Sequence, residues 1–167
     1  FSSNTVGSYP VEFSRADLDV VDFDPMTKVF SNRRQLVAAG NDAIAFPSFS
    51  PDGKWVFYQR GDYSRAKYGS NSVGHCQLYM TDVAGKVGQI ALDNANGKGI
   101  VDAKNLMLSY QPNANPVASG GYFWIVFFSP RDYGNKMVST TNPTYQNRKQ
   151  LWVAAIDINP KPGVDPS

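Results

Sequence analysis

The sequence predicts an all-β fold made of four-stranded antiparallel blades, and three features carry that expectation. Aromatic residues form 13% of the chain and stand among 14 glycines and 11 prolines, a composition of strands punctuated by turns rather than of helices. The β-rich runs are alternating or continuously apolar and show no period of 3.6. Short runs also recur at nearly fixed spacing, the mark of a repeat architecture. The 167 residues, 42% hydrophobic and 18% charged, suffice for one core of moderate size.

Taken in chain order, residues 9–37 supply the outer strands of a first blade, including "DLDVVD" at 17–22. "DAIAFPSFS" (42–50) reads as the first strand of a complete blade, and "PDG" (51–53) as a tight turn in which Pro sets φ and Gly permits a positive φ. "KWVFYQ" (54–59) is the second strand, "CQLYMTD" (76–82) the third and "VGQIALD" (87–93) the fourth, reached through "VAGK". Residues 108–157 then give the first three strands of another blade, and 158–167 form a Pro-rich tail.

The repeat supports this division. "WVFYQRGDY" (55–63) aligns with "IVFFSPRDY" (125–133) at an offset of 70, matching Val56, Phe57, Asp62 and Tyr63 with Val126, Phe127, Asp132 and Tyr133. "QLYMTD" (77–82) aligns with "QLWVAAID" (150–157) at an offset of 73, and a fainter copy, "DLDVVD", lies 60 residues upstream of it. Four hairpin-connected strands recurring along a chain make the blade of a propeller, which typically closes with about four to eight blades. About two and a half blades fit here, so the expected ring needs further blades from a longer chain or from neighbouring subunits.

"FPSFSPDGKWVFYQ" followed by "QLYMTD" resembles the TolB-type propeller repeat, whose mark is a Ser-Pro-Asp-Gly turn and a third strand ending in Asp. The next copy departs from it, with Ala118-Ser119-Gly120-Gly121 where Pro-Asp-Gly would stand. The tail "LWVAAIDINPKPGVDPS" is similar to secreted propeller-like proteins of deltaproteobacteria. The resemblance implies a periplasmic or extracellular binding module. It leaves two alternatives open: the non-catalytic propeller of a larger hydrolase such as a prolyl-oligopeptidase-like peptidase, and a structural subunit of a surface assembly.

Other patterns narrow the function. A net charge of +2 with scattered Lys and Arg argues against a nucleic-acid stripe, and no apolar run approaches the ~18 residues of a membrane helix. No catalytic set, cofactor loop or metal motif is expected: His75 is the one histidine, its neighbour Cys76 points to the opposite face of a strand, and Cys76 reads as a small buried residue. "DNANGKG" (93–99) lacks the ligand pattern of a calcium loop and reads as an inter-blade connection. The acidic run Asp17, Asp19, Asp22 and Asp24 reads as a solvated edge strand, with a calcium contact as the alternative.

Two long connections, 60–75 and 129–149, are rich in Tyr, Asn, Ser, Arg and Lys, which suits recognition of a protein or glycan from a rigid scaffold. Within them Arg60, Asp62, Tyr63, Tyr68, Arg131, Asp132, Tyr133 and Tyr145 are the candidate binding residues. Arg60-Gly61-Asp62 spells the integrin tripeptide, but the repeat keeps Asp-Tyr and not Arg-Gly-Asp, so Asp62 reads as an acceptor that shapes its loop.

Overall fold

The computed structural model describes residues 1–6, 13–64, 74–101, 106–131 and 149–167. Ten strands are found in them: β1 (Ser2–Val6), β2 (Arg15–Asp24), β3 (Val29–Val37), β4 (Ala43–Phe49), β5 (Trp55–Gly61), β6 (Cys76–Asp82), β7 (Ile90–Ala91), β8 (Tyr110–Ala114), β9 (Tyr122–Ser129) and β10 (Gln150–Asp157). A one-turn helix, α1, spans Asp93–Asn96.

The all-β expectation agrees with this, but the sheets are divided differently from separate blades. Strands β1–β7 form one mixed sheet, and β8–β10 a second, antiparallel one. Within the first, β4–β7 is the expected antiparallel meander. A single parallel pair, Ala16 with Ala43, joins it to β1–β3. The first strand, β1, lies upstream of the region expected to start the first unit, and pairs with β2.

Hairpin chemistry sets the strand ends. After β4, Ser50 and Asp52 close the turn: the Trp55 amide donates to Ser50 Oγ at 3.0 Å, the Lys54 amide donates to Asp52 Oδ1 at 3.0 Å, and Gly53 sits at φ 69°. Between β8 and β9 the Pro-Asp-Gly turn is replaced by a two-residue hairpin in which Ser119 and Tyr122 exchange both backbone bonds. That turn needs positive φ twice, and Gly120 (64°) and Gly121 (83°) supply it.

The fourth strand is shorter than expected. Of 87–93 only Ile90–Ala91 pairs with β6, and the chain then turns into α1, ended by Gly97 in the left-handed region. The Leu92 amide still donates to the Leu78 carbonyl at 3.0 Å, and fully buried Asn96 adds side-chain bonds there: Oδ1 accepts from the Leu78 amide at 2.8 Å and Nδ2 donates to the Leu78 carbonyl at 3.1 Å.

The β4–β6 layer is covered on both faces. Trp55, Phe57, Leu78 and Met80 pack against Phe123, Ile125, Phe127 and Ile156 of the second sheet. Val56, Tyr58 and Ile44 pack on the other side against Leu18 and Val37 of β2 and β3. Alternate side chains of β5 thus serve two interfaces, which is why Trp55 to Gln59 are all buried.

This packing corrects the repeat alignment by one residue. Tyr58 pairs with Tyr79, and their matches at offsets 70 and 73 would be Phe128 and Trp152, yet Trp152 pairs with Phe127. Keeping 73 for β6 and β10, β9 follows β5 at an offset of 69, which sets Trp124 on Trp55, Ile125 on Val56 and Phe127 on Tyr58. Side-chain direction agrees: Ile125 and Phe127 face the preceding layer, as Val56 and Tyr58 do. A run such as Val-Phe-Phe reads almost the same after a one-residue slip, although the slip exchanges the faces.

The acidic run is not a uniformly solvated edge. Asp19 is 4% exposed and forms a two-nitrogen ion pair with Arg33, while Asp17 accepts from Gln35 and from the Ala39 amide. Asp22 pairs with Arg34 and Asn32, and Asp24 closes the β2–β3 turn through the amides of Met26 and Thr27 and the Thr27 hydroxyl. All four carboxylates are engaged by side chains or backbone of the chain itself.

Candidate functional site

At the mouth of connection 60–75, where β5 ends and β6 begins, the described residues form an open polar cleft of about 320 Å³. Asp42, Arg60, Asp62, His75, Gln77 and Tyr79 line it, with Met107 at one side. Gln77 and Tyr79 reach it from the same face of β6, and Asp42 from the residue before β4.

Arg60 is fixed in the wall of this cleft. Its Nε donates to Asp42 Oδ2 at 2.8 Å, one Nη to Gln89 Oε1 at 2.7 Å and the other to the Ala39 carbonyl at 3.0 Å. Gln89 Oε1 also accepts from the Tyr58 hydroxyl, whose pKa is raised by burial. With all three nitrogens engaged, the guanidinium presents a positive rim rather than a free donor fork.

Asp62 shapes the start of its loop. Its Oδ1 accepts from the His75 amide at 2.7 Å, and Oδ2 lies 3.2 Å from His75 Nδ1, both side chains more than half exposed. Gly61 has a steric role: a Cβ there would stand 1.8 Å from the His75 carbonyl oxygen. The Arg-Gly-Asp letters therefore have three local structural reasons, an ion pair, a close backbone approach and an amide acceptor. Beneath them Gln59, fully buried, donates to the Ser64 carbonyl and accepts from the Gln111 amide, tying the loop base to β8.

Cys76, beside His75, is turned away from the cleft and buried. Burial, with the nearby Asp62 carboxylate adding to it, pushes its thiol pKa up to about 12, so it holds its proton at neutral pH. The Tyr79 hydroxyl is also shifted up, chiefly by burial. Hydrogen-bonding groups thus surround His75, and the arrangement suits recognition of a polar ligand. Among the described residues no cluster of three or more His, Cys, Asp or Glu could hold a metal ion. No helix among them is long and apolar enough to cross a membrane.

Of the other candidate binding residues, Tyr63 lies at the loop base, its carbonyl accepting from Cys76 Sγ. Arg131 is 5% exposed and so buried rather than displayed. Tyr68, Asp132, Tyr133 and Tyr145 lie outside the described residues. Sequence reasoning missed Asp42, Gln77 and Tyr79 as cleft residues, and weighed His75 only as a metal ligand or catalytic-set member, expecting neither. The alternation of Gln77 and Tyr79 on one strand face was a usable signal. Asp42 had none, because its partner Arg60 is 18 residues away.

No protein-family model matches the chain, and neither the curated proteins nor the solved structures contain a match to it.

Proposed function

We propose that this chain is a non-catalytic binding module, a TolB-like propeller segment that acts in the periplasm or outside the cell and binds a protein or glycan. The observation that carries the binding reading is the polar cleft at the base of connection 60–75. Arg60 is locked there by Asp42, Gln89 and Ala39, and His75, Gln77 and Tyr79 offer exposed or half-buried polar groups beside it. Such a pre-ordered mixture of donors, acceptors and one aromatic suits hydroxyl-rich or peptide ligands. The propeller reading is supported by layers that pack face to face at equivalent repeat positions, and by the Ser50–Gly53 turn.

The test is an array of glycans and of extracellular peptides probed with the full chain, its hits titrated against His75→Ala and Gln77→Ala. Both substitutions lie at the open side of the cleft and are expected to weaken binding by about tenfold or more, by loss of hydrogen bonds worth about 1.4 kcal/mol or more in this setting. Ligands that bind both variants as tightly as the parent chain would place recognition elsewhere.

A further inference from the structure

The outward face of the second sheet is apolar and exposed. Residues directly opposite each other on β9 and β10 share a face, and the outward pairs are Phe128 with Leu151, Val126 with Val153 and Trp124 with Ala155. Leu151 is 80% and Val153 61% exposed, and Trp124, Val126 and Ala155 are half-buried beside them. Phe128 is already covered by the Tyr110 ring stacked on it and by the Lys149 ammonium, 4.7 Å from its centre. The first charged side chain along this face of β10 is Asp157, opposite Tyr122 at the end of the ladder.

The chain itself contains a covered version of this strip. In the register that sets β9 on β5 and β10 on β6, Trp124, Val126, Leu151 and Val153 correspond to Trp55, Phe57, Leu78 and Met80. Those four are buried under Phe123, Ile125, Phe127 and Ile156, an uncharged face of another sheet. A β-sheet is therefore what fits over such a strip, at the ~10 Å spacing of sheets packed face to face. A second copy offers two outer sheet faces. Its β2–β3 face carries Asp17, Asp19, Arg33 and Gln35, and its apolar pair, Phe23 and Phe30, stands apart at the hairpin tip beside the Asp24 turn. Laying that face over Leu151 and Val153 takes the Arg33 guanidinium, 61% exposed, out of water against apolar side chains. Its β9–β10 face matches apolar with apolar and desolvates no charge.

We propose that two copies of this chain associate through their β9–β10 faces, as a two-fold sandwich in which Leu151 and Val153 of each copy lie against the apolar strip of the other. A two-fold contact needs a self-complementary patch, and it closes at two copies. Each copy brings about six side chains, against roughly 20–30 residues a side in a stable complex, so the association is weak, with half of the chains paired at about 100 µM. At the few-micromolar concentration of a denaturation experiment the copies are apart, and Leu151 stays solvated. This contact is separate from the cleft at connection 60–75 and stands or falls independently of it.

Sedimentation velocity and light scattering of the full chain between about 5 and 500 µM test it. The mass is expected to rise from the single chain of 18.4 kDa towards twice that value and to stop there. Val153→Lys and Leu151→Asp each place a charge at a position that is solvated in the single chain, so each is expected to fold as the parent does and to weaken association about tenfold or more. Gln35→Lys, on the opposite outer face, is expected to leave association unchanged. In NMR spectra the Trp124 indole signal is expected to shift on dilution, while that of Trp55, buried in the middle layer, stays in place. A single chain at every concentration, growth beyond two copies, or association kept by both Val153→Lys and Leu151→Asp would each overturn the proposal. Loss of association in Gln35→Lys would overturn it too, by moving the contact to the β2–β3 face.

Discussion

The two outer faces of the layered structure differ sharply in chemistry. On β2 and β3 the outward side chains are Asp17, Asp19, Arg33 and Gln35, cross-linked by an ion pair and hydrogen bonds and covered at one point by the Phe1 ring over Arg33. On β9 and β10 they are Trp124, Val126, Leu151 and Val153, with Leu151 80% and Val153 61% exposed. Yet by the corrected register these four stand where Trp55, Phe57, Leu78 and Met80 stand in the middle layer, and there Leu78 and Met80 are 0% exposed. Position within the repeat sets which way a side chain points, whereas burial depends on whether another sheet is packed over it.

The largest effect expected from this comparison is at Leu78. Leu78→Ala empties a filled position between two sheets and should cost about 2–5 kcal/mol in urea denaturation, whereas Leu151→Ala, the same change at the equivalent position, should stay within about 0.5 kcal/mol. Equal losses would mean that the face of β10 is covered in solution. A smaller effect is expected at the polar face: Asp19→Asn leaves Arg33 without its carboxylate and should cost about 1–2 kcal/mol, because Arg33 itself is largely solvated.

The smallest effect belongs to Asp24 at the β2–β3 turn. The Thr27 hydroxyl, followed by the Met26 and Thr27 amides, holds its carboxyl below the ordinary value. A depressed folded pKa stabilises the turn above the unfolded pKa, and this contribution is lost as pH falls through the folded value. NMR titration should show the Asp24 carboxylate protonating below the range of exposed aspartates, with the Met26 amide moving with it. A titration at the ordinary value would remove the turn from the acid-sensitive contacts.

Much of the local structure was legible in the letters. Trp55-Val56-Phe57-Tyr58 announced a strand, and Ser50-Pro51-Asp52-Gly53 announced its turn. The offset of 70 that matched Asp62 with Asp132 did not survive the corrected register, so the Asp62 acceptor rests on its bond from the His75 amide. By contrast, α1 was unreadable because Asn96 bonds through side-chain atoms to Leu78, a partner 18 residues away.

Sequence alone determined the all-β class and the strands and turn of the middle meander, because period-two patterning and turn residues are local properties of the chain. Tertiary structure decided the register of the third unit, the joining of β1–β7 into one sheet, the burial of Asp19 and Arg131, and the assembly of the cleft from Asp42, His75, Gln77 and Tyr79. Each of these depends on distant segments meeting, and a one-residue slip or an inward-turned guanidinium changes which atoms meet without changing the pattern of letters that precedes it.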